Sequence, residues 1–439
     1  MTRSGIRSVG TALALLAMLT GCSLFEDEER LSGERINIRN AQIDSGQGAV
    51  QGGGAPIPAP TANPNWSQTN AQASHASGHL AGPSSLNRIW TADAGSGGSS
   101  DAAITSAPIV INGRVYALDA AAQVTAMDAS SGSVAWRTDL APEGESGDDG
   151  FGGGLASNGN QIFATTGFGE VVALDAASGE IKWRYKASSP FRAAPAVANG
   201  LVIAVTRSNR GIALTTGGGQ LAWRLDGISA SAGLLGGASP AISGGLAVLP
   251  FASGEVIGVE MSSGRRIWSA VLGGARRGLA RSSISDVTGD PVIAGRAVVT
   301  ANQSGRMVAI DGQSGRRGWT RSIGSVGPIW AAGDSIYVVS DDSTLQRLSL
   351  GNGGTIWRTE LPAYEDPEDR EDPIAYSGAV LAGGNLLVTD SLGTLHSFDP
   401  ETGAPKETAD LTAGTTTGAV VAGGTIYVLA GDGTLQAFR

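Results

Sequence analysis

One cysteine, three histidines and three lysines in 439 residues leave this chain little material for several common chemistries. The lone thiol of Cys22 excludes an intramolecular disulfide and a cysteine-based metal cluster. No Gly-Lys dipeptide occurs, so there is no phosphate-binding P-loop, and no Gly-x-Ser-x-Gly stretch supplies the elbow of a serine hydrolase. Charged residues are only 16% of the chain, and their balance is acidic, with a formal net charge of -10. Nucleic acid is excluded as a partner, because phosphate neutralisation needs a positive face that releases counterions. With lysine only at 182, 186 and 406, the cations are nearly all arginine, better suited to planar paired contacts than to a diffuse basic cloud. His75, His79 and His396 build no three-histidine metal site, since the first two fall in a polar stretch expected to be mobile, where an i, i+4 pair would hold metal only weakly. The acidic insertions 143–149 and 365–372 match no EF-hand spacing and read as solvated loops. Helical periodicity is scarce after residue 30.

What the chain has in abundance is glycine, 66 residues of it, which favours an all-β protein with many tight turns. The first residues have another purpose. A basic start with Arg3 and Arg7, an apolar run from Ala12 to Leu19 and small residues after it make residues 1–21 a secretory signal. The apolar run is about half the roughly 20 residues a membrane-crossing helix needs, and no later segment is longer. Leu19-Thr20-Gly21-Cys22 resembles a bacterial lipobox, so Cys22 is the expected lipidation site, and two or three acyl chains anchor a protein stably where one does not. Ser23 follows the cysteine in place of an inner-membrane retention Asp, which points to the periplasmic face of the outer membrane. Residues 22–82 are poor in apolar side chains and are expected to form a flexible lipidated tether, spanning roughly 40 to 50 Å as a coil. Trp66 is expected to be a solvent-exposed residue of it.

From residue 83 to 439 a repeat of about 45 residues governs the sequence. ALDAASGEIKW at 173–183 and AMDASSGSVAW at 126–136 show it well, and in each copy a tryptophan stands eight residues after the Asp-like position. Trp90, Trp136, Trp183, Trp223, Trp268, Trp319 and Trp357 are spaced by 46, 47, 40, 45, 51 and 38 residues, the size of a four-stranded propeller blade. Pro108, Pro195, Pro240 and Pro291 each precede the Asp-like position by 20 residues and are expected to open the inner strand of their blades, where a missing N–H is tolerated. The tryptophan is expected to cover the interface to the next blade and to give its indole N–H to a carbonyl there. A seventh repeat carries Glu407 in place of tryptophan, and an eighth ends at Arg439 with no outer strand. The upstream strand from Leu86 to Ala92 supplies that strand, so the expected fold is an eight-bladed β-propeller of four-stranded antiparallel blades, closed by an N-terminal strand with no open edge.

The motif AxDxxSGxxxW resembles the docking repeat of the pyrroloquinoline quinone (PQQ) propellers over residues 86–439, a superfamily with dehydrogenases and non-enzymes. With the lipobox and eight blades, the chain is most similar to the BamB family of lipoproteins of the β-barrel assembly machinery. That resemblance implies a non-catalytic scaffold, without cofactor or small-molecule substrate, that binds the POTRA domains of BamA and assists outer-membrane protein insertion. It implies contact through two loops: residues 231–240, with Leu234 and Leu235 exposed by surrounding glycines, and residues 280–291, with Asp286. The arginine usual beside the leucines is absent and Thr288 stands in place of a second Asp, leaving Arg281 and Asp290 to compensate. A PQQ-dependent dehydrogenase is the alternative that the repeat alone permits, opposed by the missing cysteine pair and the missing Glu, Asn and Asp set for calcium. An envelope scaffold for another partner is the third reading.

Overall fold

A computed structural model describes residues 54–439 except 100, 101, 192, 231, 232, 235 and 274–283. The signal, Cys22, Leu235 and Arg281 lie outside the described residues. Eight four-stranded antiparallel sheets form the blades. Blade I is typical, with strands Ile109–Ile111, Arg114–Leu118, Gln123–Asp128 and Val134–Asp139 in order from the inside out. Its middle strands are buried along nearly their whole length, and its outer strand alternates between half-buried and exposed. The residues account for this: a strand covered on both faces by neighbouring blades reads as a continuous apolar run, while an outer strand with one wet face alternates.

Blade VIII is completed as expected, with Arg88–Asp93 pairing antiparallel to Thr434–Phe438 at the sheet's outer edge. The first and last strands of the propeller are thus joined by a ladder of backbone bonds. Pro108, Pro195 and Pro240 stand directly before inner strands, but Pro291 does not open its strand. It falls inside Val287–Ala294, where the register to the second strand shifts between Gly289 and Val292. That bulge removes the need for a proline N–H.

The tryptophans dock as the repeat requires. The indole N–H groups of Trp136, Trp183, Trp223, Trp268, Trp319 and Trp357 donate to carbonyls of the following blade at 2.7 to 3.2 Å. Each ring rests on the glycine of the next blade's Ser-Gly type turn: a Cβ at Gly264 would stand 2.6 Å from Cδ2 of Trp223. Trp90 departs from the pattern, for its Nε1 is buried without a partner. The Tyr427 hydroxyl donates to Ala129 O at 3.1 Å, on the turn where Trp90 docks, and the two rings lie 5.9 Å apart. At Glu407 the side chain makes a different joint, accepting the Leu86 N–H at 3.2 Å, so blade VII grips the strand that closes blade VIII.

The flexible-tether expectation fails for residues 54–82. Between Asn63 and Leu80 the chain circles the inside of the ring and bonds to every blade in turn. Asn63 Nδ2 reaches Val421 O of blade VIII, and Trp66 pairs both ways with Val110 of blade I. Ser67 O accepts from Ser157 N of blade II, while Gln68 gives its amide to both backbone groups of Val197 in blade III. Ala73 O, Ser74 O, Gly78 N and Leu80 N then serve Ile242, Ile293, Ala331 and Leu381 of blades IV to VII. Trp66 is 3% exposed, stacked on the ring of Trp330 at 5.8 Å. The polar composition misleads because the inner strands present unpaired N–H and C=O groups along the channel. A polar segment satisfies them and gains its order from hydrogen bonds more than from apolar burial.

Candidate functional site

This segment stoppers the ring at the end where the inner strands turn into the second strands, and the other end opens as a funnel of about 490 Å³. Trp66, Gln68, Thr69 and Asn70 lie at its floor, and its walls come from the connections leading into the inner strands. The floor is rigid, since both ends of the Gln68 amide are held by Val197 and Thr69 Oγ1 donates to Ser239 Oγ at 3.1 Å.

Both loops singled out in the sequence arrive at this mouth, and the structure ties them together. The Leu234 N–H donates to a carboxylate oxygen of Asp286 at 2.9 Å across 52 residues of sequence, and the Ser239 N–H donates to Asp290 at 2.7 Å. Two expectations are corrected here. Leu234 is half-buried in the funnel wall, not a free tip, and Asp286 is 0% exposed, so its carboxylate positions the Leu234 loop and does not itself reach a partner's surface. A buried carboxylate must be hydrogen-bonded or paired, and the bond to the Leu234 backbone contributes to meeting that demand.

Asp290 lines the funnel and is half-buried in its wall. Burial raises its carboxyl to about 7, against the lowering effect of the Ser239 hydrogen bond. Next to it, His75 Nδ1 donates to Pro291 O at 2.8 Å. Burial lowers the His75 imidazole to about 4, so it is neutral at physiological pH. His79 is held equally firmly: Gly384 N–H donates to its Nε2 at 3.0 Å, which leaves Nδ1 to donate to Pro58 O at 2.7 Å. Neither ring is the mobile linker histidine expected.

The described lining of the funnel holds two carboxylates, Asp290 and Asp341, and no arginine or lysine. A quinone tricarboxylate such as PQQ needs cations opposite its carboxylates, because buried charge must be paired. The described residues do not fit it. Among the described residues no cluster of His, Cys, Asp or Glu is arranged to hold a metal ion. Trp66, Gln68 and His75 are structural residues that the repeat pattern does not reveal; a tryptophan isolated in a polar stretch, matched by Trp330 outside the docking register, is the available signal.

Sequence and structure comparisons agree on the relatives. A family profile described as outer membrane protein assembly factor BamB matches residues 82–147, 120–359 and 341–439. Outer membrane protein assembly factor BamB of Alkalilimnicola ehrlichii is 31% identical over 315 residues, 72% of this chain and 78% of that protein. Its counterpart in Yersinia pestis is 25% identical over 323 residues, 73% of this chain and 80% of that protein. The crystal structure of BamB from Moraxella catarrhalis superposes with a TM-score of 0.67 at 18% identity, covering 81% of this chain and 100% of that one. Quinohemoprotein alcohol dehydrogenase from Comamonas testosteroni gives a TM-score of 0.66 at 13% identity, covering 85% of this chain and 80% of that one. At such identities the superpositions establish the propeller fold alone.

Proposed function

The chain belongs to the family of outer membrane protein assembly factor BamB, and from that premise we propose that it is a non-catalytic scaffold lipoprotein of the β-barrel assembly machinery. In this reading Cys22 carries the lipid, the protein sits on the periplasmic face of the outer membrane, and the funnel face docks the POTRA domains of BamA. The observation that carries the docking site is the Leu234 loop, held over the funnel mouth by the buried Asp286. A leucine fixed in place loses little entropy on binding, which makes it an effective anchor. The tether side supports the same polarity. The Ala55 carbonyl accepts from Arg347, and a Cβ at Gly333 would meet Pro58. Residues 55–58 therefore approach the ring from its stoppered face.

The test is a pull-down of BamA from detergent-solubilised envelopes with Leu234→Ala, and with Leu234→Ala combined with Asp286→Ala. Loss of a central apolar anchor weakens binding by at least about 1 to 2 kcal/mol, roughly a tenfold or greater drop in capture, with the double variant weaker still because its loop is released. Capture equal to the wild type in both variants would refute the site while leaving the fold intact.

A further inference from the structure

The described lining of the funnel, which has two carboxylates and no basic side chain, has the charge to hold a cation. One oxygen of Asp290 accepts the Ser239 N–H, and its other oxygen has no hydrogen-bond partner among the described residues. Asp341 adds a second carboxylate to the wall, where it accepts the Gly324 N–H at 2.9 Å. No described basic side chain lines the cavity. Its sides carry Ile104, Leu155 and Val380, and the mouth carries Leu234, Ile374 and Val326, the last 60% exposed.

We propose that the funnel receives a single basic side chain, arginine or lysine, presented by a partner polypeptide, with Asp290 as its counter-charge. This deepens the docking reading and rests on the funnel face being the docking face. The apolar walls cover the methylene stem of such a side chain while its charged head reaches the carboxylate, as long cationic side chains do elsewhere. The apolar ring at the mouth selects a polypeptide over a free amine, because only the former brings apolar neighbours to cover Val326 and Leu234. Burying a carboxylate is costly unless a cation pairs with it. The raised ionisation point of Asp290 expresses that cost, and a bound cation would lower it again.

Three other titratable groups stand near Asp290 among the described residues. His75, on the stopper, stays neutral down to about pH 4. Asp286, just before the strand that carries Asp290, is engaged by the Leu234 N–H, and Asp341, on the wall, is engaged by the Gly324 N–H. Cation binding therefore strengthens as Asp290 loses its proton, by about tenfold between pH 6 and pH 8 for a group ionising near 7.

The experiment is calorimetric titration of the full-length protein in detergent with N-acetyl-Leu-Arg-Leu-amide. Its citrulline counterpart, agmatine and PQQ serve as competing probes. The arginine peptide should bind one to one, at least tenfold tighter than the citrulline peptide at pH 8 and tighter than agmatine, with no PQQ binding. Asp290→Asn, which keeps an acceptor for the Ser239 N–H, should abolish both the arginine preference and the pH dependence. Equal binding of the two peptides, a flat pH profile, an unaffected Asp290→Asn variant, agmatine tighter than the peptide, or stoichiometric PQQ binding would each overturn the proposal. The citrulline comparison needs no variant, so a folding defect cannot mask the result. Because the peptides are read without BamA, failure of this proposal and failure of the docking site are separate results.

Discussion

If each tryptophan ring is seated on the next blade's turn glycine, then Gly264→Ala and Trp223→Ala must be coupled. Gly264 has φ +70°, a conformation that costs an alanine roughly 1 to 2 kcal/mol. The added methyl would also stand 2.6 Å from Cδ2 of Trp223, and forcing a packed ring aside costs a further 1 to 3 kcal/mol, in round terms about 2 to 5 in all. Trp223→Ala alone removes a ring that is 8% exposed and the Nε1 to Met261 O bond of 2.8 Å, for about 3 to 5 kcal/mol. In the double variant the methyl meets no ring, so only its backbone cost remains. The double variant should therefore be about 1 to 3 kcal/mol more stable than the sum of the singles predicts. Gly113→Ala isolates the backbone cost, since its φ is +77° with nothing within 4 Å of an added Cβ. Denaturant unfolding of the four proteins, followed by far-ultraviolet circular dichroism, measures the cycle. Simple additivity, or a Gly264→Ala cost no larger than that of Gly113→Ala, would refute the seating.

The closing seam gives a contrast between chemically identical changes. Trp223→Phe breaks the bond to Met261 O and should cost about 1 to 3 kcal/mol from the orphaned buried carbonyl. Trp90→Phe loses no indole bond and should cost clearly less in the same unfolding assay. Asp290→Asn should stabilise the protein in a pH-dependent way. The native carboxyl ionises near 7 against 3.8 when unfolded, so its favourable contribution is complete below pH 3.8 and is lost as pH rises through 7. The variant's advantage thus grows from nothing near pH 4 to at most about 4 kcal/mol at pH 8; an advantage independent of pH would contradict the burial of Asp290. His75 works in the opposite direction, since its ionisation falls from 6.5 to about 4 on folding and its contribution is lost as pH drops between those values. With Asp290 removed as an opposing group, unfolding curves of Asp290→Asn should show up to about 3 kcal/mol of stability lost between pH 6.5 and pH 4.

The blades were legible because their signals are local. Tryptophan spacing, the Asp-to-Gly turn and the missing outer strand after Arg439 each follow from what one repeat needs to pair and to seal against the next. The eight-bladed count and the Arg88–Asp93 closure followed by arithmetic. Leu234 and Asp286 were legible as residues of interest, but their separate roles were not. Only the fold shows that Asp286 is fully buried and holds the backbone of Leu234, because the 52 residues between them are an entire blade plus a loop. The indole of Trp90 was expected to find a carbonyl like the others, yet it has no partner and the hydroxyl of Tyr427 bonds to Ala129 on the facing turn. No pattern within one repeat encodes that exception, since it arises where the first and last strands of the propeller meet.

By itself, then, the sequence determined the repeat, the strand order within a blade and the closure of the ring, since these depend on residues close together in the chain or related by a period. The tertiary structure alone decided the fate of residues 54–82 and the funnel they floor. Their polar side chains promise no core. Their order comes from eight inner strands whose unpaired backbone groups line the channel only after the ring has closed. The same closure surrounds Asp290 and His75 with protein, and the ionisation of both is shifted for that reason.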